Sequence, residues 1–126
     1  MNGFVGDVNN INGPKSPGWR LLMKTGDCTS PGPAMTWVLL DECPDSINDG
    51  FFSVPMANGA SETWHDVPAS THNGAGGFSF ADGHAEIKKW HDANTLAPVA
   101  KVNPCPDNGR NSPNDMAWVQ ERTTAR

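Results

Sequence analysis

At 126 residues the chain has room for one modest hydrophobic core. A hydrophobic share of 37%, beside 13 glycines and 11 prolines, favours short strands and long loops over a helical bundle. With 9 basic residues against 14 acidic ones the net charge is −5, which leaves no basic stripe for phosphate and argues against nucleic acid or an anionic membrane surface as partner.

Residues 1–18 are rich in Gly, Asn and Pro and predict an irregular arm. Residues 19–24 read as a strand, and Pro31 and Pro33 keep 27–33 in a loop. The run 35–41, Met-Thr-Trp-Val-Leu-Leu-Asp, is the best core strand: β-branched, aromatic and continuously apolar. An oxygen-rich loop over 42–50 follows, then a strand at 51–54 and a short extended stretch at 64–67. Residues 78–81 alternate as a strand does, Asp82-Gly83 signals a tight type I′ hairpin turn, and 84–90 return as the partner strand. Residues 103–114 are loop, and 114–122 form a short helix with Asn114 as N-cap and Asp115 complementing the helix dipole. The expected fold is a single α+β, mostly β domain: a small antiparallel sheet with long loops and a short C-terminal helix.

Cys28, Cys43 and Cys105 are widely spaced and contain no Cys-x-x-Cys, which disfavours a structural zinc site; their pairing is open. No apolar run reaches the ~18 residues of a membrane span, and the start of the sequence lacks the layout of a secretory leader.

His72, nine further residues, Asp82-Gly83, and the surrounding Phe78-Ser79-Phe80-Ala81-Asp82-Gly83-His84-Ala85-Glu86 resemble the C-terminal signature of a bacterial prepilin-like family named for that spacing. Leu40-Asp41-Glu42 with 44–50, and the stretch 118–124, resemble two further blocks of the family in the same order. The resemblance covers most of the chain and implies a type II secretion pseudopilin-like globular head without the long N-terminal helix. It also implies extracytoplasmic relatives that assemble with pilin-like subunits, and major pseudopilins bind calcium in a C-terminal loop. Cys43 departs from the pattern, standing where an imidazole is frequent.

Three groups of residues carry chemistry. Asp41, Glu42, Asp45, Asn48 and Asp49 form an oxygen-rich stretch suited to a hard cation, and calcium is the expected ion. The stretch is not an EF-hand, because Ile47 and Met56 occupy the third and twelfth positions counted from Asp45. The competing reading is an ordinary polar turn. His72, Asp82 and His84 could hold zinc, which is less expected than His72 donating to Asp82 to brace the hairpin. His65-Asp66 with Glu86 and His91 suggests a hydrolytic dyad, but no Gly-x-Ser-x-Gly elbow accompanies it.

The leading expectation is therefore a calcium-stabilised structural domain without catalytic machinery. The alternative is a metal-dependent hydrolase of a small ester or lactone, in which His72, Asp82 and Glu86 would activate water beside a cation. A third reading, carbohydrate binding through the five tryptophans, competes with their use as core.

Overall fold

The computed structural model describes residues 1–6, 18–56, 63–96, 98–101 and 111–126. Its centre is a three-stranded antiparallel sheet of β1 (Trp37–Leu40), β2 (Ala75–Phe80) and β3 (Ala85–Lys89), in that order. One α-helix, α1 (Pro113–Gln120), closes the C-terminal part. The fold is α+β and mostly β, as the sequence leads one to expect.

Strand alternation places Phe78 and Phe80 in the core, with the half-exposed Ser79 between them. Trp37 pairs with Phe80 and Leu40 with Phe78, with a bulge between Trp37 and Leu39. Trp37, Trp64 and Trp90 are almost fully buried, and edge-on ring contacts link them to Phe52 and Phe78. Trp19 and Trp118 pack against the same cluster, with Arg126 and Arg122 lying over their rings. All five tryptophans thus take part in packing.

The turn between β2 and β3 differs from the expected type I′ geometry. Gly83 alone has positive φ, at 94°, while Asp82 does not. Gly83 N–H bonds Phe80 O and Phe80 N–H bonds His84 O, so residues 81–83 make a three-residue loop ending in a left-handed glycine.

Among the described residues the two strands expected at 19–24 and 51–54 reduce to single bridges. Leu22 pairs only with Val5, Phe52 only with Asn2, and the 64–67 stretch lies between the bridges Thr63–Asn111 and Glu42–Pro68. Each segment runs beside a neighbour too briefly for a ladder.

Residues 1–6 form no regular element but are anchored to the rest of the structure. Asn2 is fully buried; its amide donates to Trp37 O and Thr123 O, and its Oδ1 accepts Phe4 N–H. A polar side chain thereby locks the N-terminal segment to β1 and the C-terminal turn. Residues 7–17 of the expected arm, and most of the 103–114 loop, lie outside the described residues.

At the helix start, Asn114 is not the cap. The N-cap position is Ser112, without a side-chain cap bond, and Pro113 occupies the first turn. Asp92 caps from a distance, accepting Asp115 N–H at 2.9 Å and the Asn114 amide at 2.8 Å. Asp115, fully buried, returns the contact by accepting the His91 and Asp92 N–H groups. Cys28 and Cys43 are buried, and Cys105 lies outside the described residues. Among the described residues no helix is long and apolar enough to cross a membrane.

Candidate functional site

A shallow cleft of about 520 Å³ opens where β1 ends, lined by Asp41, Glu42, Asp49, Thr71 and His72, with Ile47 on its wall. Asp41 follows β1 directly, and its N–H bonds Gly77 O. Its Oδ2 accepts Gly77 N–H at 3.1 Å and meets His72 Nε2 at 3.0 Å. A Cβ on residue 77 would lie 2.8 Å from that same Oδ2, so glycine is what admits the carboxylate to the sheet. His72 reaches Asp41 from a tight turn in which Asn73 and Gly74 take positive φ.

Glu42 is half-buried. Burial pushes its carboxyl up to about 7, a rise moderated by the Ser46 hydroxyl and reinforced by the charges of Asp66 and Asp49. Ser46 Oγ lies 3.0 Å from Glu42 Oε1, within reach of Cys43 O and Val67 O, and accepts Val67 N–H. One hydroxyl thus ties the acidic loop to the 63–68 segment.

Of the five residues expected to share a cation, three line this cleft and two do not. Asp41, Glu42 and Asp49 line the cleft, but Asp49 accepts Phe51 N–H. Asp45 is buried, with Oδ2 accepting Ala100 N–H, and Asn48 is exposed. Among the described residues no three His, Cys, Asp or Glu side chains form a group that could hold a metal ion.

The hydrolase set is dispersed too. His72 pairs with Asp41, whereas Asp82 pairs with His84, whose Nδ1 lies 2.6 Å from Asp82 Oδ1. That corrects the expected His72–Asp82 brace and separates the residues of the zinc reading. The imidazole of His84 stacks flat on Phe80 at 4.3 Å, and its hydrogen bond holds the Asp82 carboxyl below the usual range. Glu86 is exposed on β3. His65 Nδ1 lies 3.3 Å from Ser53 Oγ, Asp66 accepts Ser53 N–H, and His91 binds Asp115 through its backbone. Among the described residues no nucleophilic hydroxyl or thiol is hydrogen-bonded to the His72 ring.

Sequence reasoning missed the Ser46–Glu42 contact and the pairing of Asp41 with His72. Gly77 carried a signal: a glycine within an apolar strand marks a close approach by another group. Comparison of the chain with protein-family models, curated proteins and solved structures finds no match.

Proposed function

We propose that the chain is a non-catalytic structural domain, a pseudopilin-like head in which the signature residues build the sheet. The carrying observation is that both ends of the His72-to-Gly83 pattern bracket β2. His72 docks on the Asp41 carboxylate at one end, and Asp82-Gly83 turns the chain at the other. Neither end presents a free base beside a nucleophile.

The acidic residues fit the same reading. Asp27, Asp41, Asp45, Asp49, Asp92 and Asp115 each accept a backbone N–H from another part of a loop or strand. Carboxylates holding otherwise orphaned amides give long loops the order that a small core cannot supply.

Thermal melts of the wild type, His72→Ala and Asp82→Ala, run beside assays on ester and lactone panels, test this. Both variants should melt below the wild type, and no protein should turn over substrate with or without calcium or zinc. Hydrolysis by the wild type that His72→Ala abolishes in a still-folded protein sinks the structural reading. A rise in melting temperature on adding calcium, reversed by chelation, would return the 41–49 loop to a cation.

A further inference from the structure

The two edges of the sheet are unlike. The outer side of β1 is closed, because Asn2 N–H bonds Val38 O and Trp37 N–H bonds Arg122 O. Among the described residues no strand pairs with the outer side of β3. Phe80 N–H bonds His84 O and Trp90 N–H bonds Gly74 O, so in the antiparallel register His84, Glu86, Lys88 and Trp90 aim their peptide groups at β2. Ala85, Ile87 and Lys89 therefore aim theirs outward. Among the described residues the only further bond to these groups is Lys88 Nζ on Lys89 O. Ile87 is 63% exposed, the most of any large hydrophobic residue described.

The sequence of β3 is complementary to its own reverse. We propose that β3 pairs antiparallel with β3 of a second copy, about a two-fold axis through Ile87, to make one continuous sheet. In that register Ile87 meets Ile87 of the second copy, and each outward N–H and C=O finds a partner. Glu86 then stands opposite Lys88 of the second copy at a non-hydrogen-bonded position, where cross-strand side chains lie closest. The symmetry makes that ion pair twice. Lys88 Nζ, which now lies 3.4 Å from Asp115 and bonds Lys89 O, exchanges the Lys89 O bond for the incoming carboxylate and frees that carbonyl for the new ladder.

Because the β1 edge is closed, head-to-tail growth of the sheet is blocked and pairing stops at two copies. A single strand pair buries less than the ~1,200 Å² of a stable interface, so the association is weak and concentration-dependent.

Sedimentation equilibrium under reducing conditions, over a wide concentration series, tests the pairing. The wild type should pass from monomer towards dimer mass. Ile87→Pro removes an outward N–H without touching the β2–β3 ladder, and it should remain monomeric with its fold intact by circular dichroism. Glu86→Lys replaces each attractive pair by a repulsive one, and it should weaken association about tenfold. A wild type that is monomeric throughout overturns the proposal, as does a dimer indifferent to both substitutions. A monomer that instead takes up an added alternating Thr-Val peptide on this edge also overturns it and assigns the edge to a foreign strand.

Discussion

Two carboxylate-rich regions use the same bond in different surroundings. At the start of α1, Asp92 and Asp115 exchange backbone N–H groups, and Asp115 is fully buried. In the cleft, Asp41 accepts Gly77 N–H and the His72 ring with 49% of its own side chain exposed. Burial decides what each contributes. Water can replace the partners of Asp41 but not those of Asp115, so the helix clamp carries more stability.

The largest expected effect separates the two regions outright. Asp115→Ala strands the His91 and Asp92 amides and the nearly buried Lys88 ammonium. It should cost about 3 kcal/mol in denaturant unfolding. A cost equal to that of a cleft substitution would erase the contrast. Gly77→Ala comes next, since its Cβ would press on Asp41 Oδ2 at 2.8 Å and expel the carboxylate from the sheet. Asp41 Oδ2 is the end of a half-exposed side chain and can swing away, so we expect a loss of under about 1 kcal/mol by the same measurement.

A smaller effect is set by pH. The folded-state pKa of Glu42 is raised from 4.5 to about 7, so the folded form holds a proton there that the unfolded chain releases. The resulting contribution is fully present below 4.5 and is lost as pH rises through about 7. Melting temperatures across that window should fall with rising pH, and Glu42→Gln should flatten the slope; an unchanged slope would clear Glu42. Asp92 works in the opposite direction. Burial alone would raise its carboxyl, but the Asp115 N–H and the Asn114 amide hold it low. Its contribution is therefore lost as pH falls through its depressed value.

The same contrast explains what the sequence made legible. Local signals sufficed for the Phe78–Phe80 half of β2, for β3 and for α1: an alternating Phe78-Ser79-Phe80, a turn glycine, and an acidic first turn followed by Trp118 and Val119; the Ala75-Gly76-Gly77 half of β2 was not legible. They overextended at 19–24 and 51–54, where apolar residues are buried by isolated bridges and not by ladders. The candidate site was legible as composition and not as geometry. Asp41, Glu42 and Asp49 do share a cleft, but Asp45 turns away to Ala100. Loop path decides that, and residue spacing does not encode it. The partner of His72 was unreadable for the same reason, because Asp41 stands 31 residues away in sequence.

The structural role of the signature histidine is tested most directly by a double-mutant cycle on stability with Asp41→Asn and His72→Ala. An exposed pair of this kind should show a coupling of about 0.5 kcal/mol, with each single variant less stable than the wild type. Zero coupling, together with a His72→Ala protein as stable as the wild type, would contradict it and leave the imidazole free for another task.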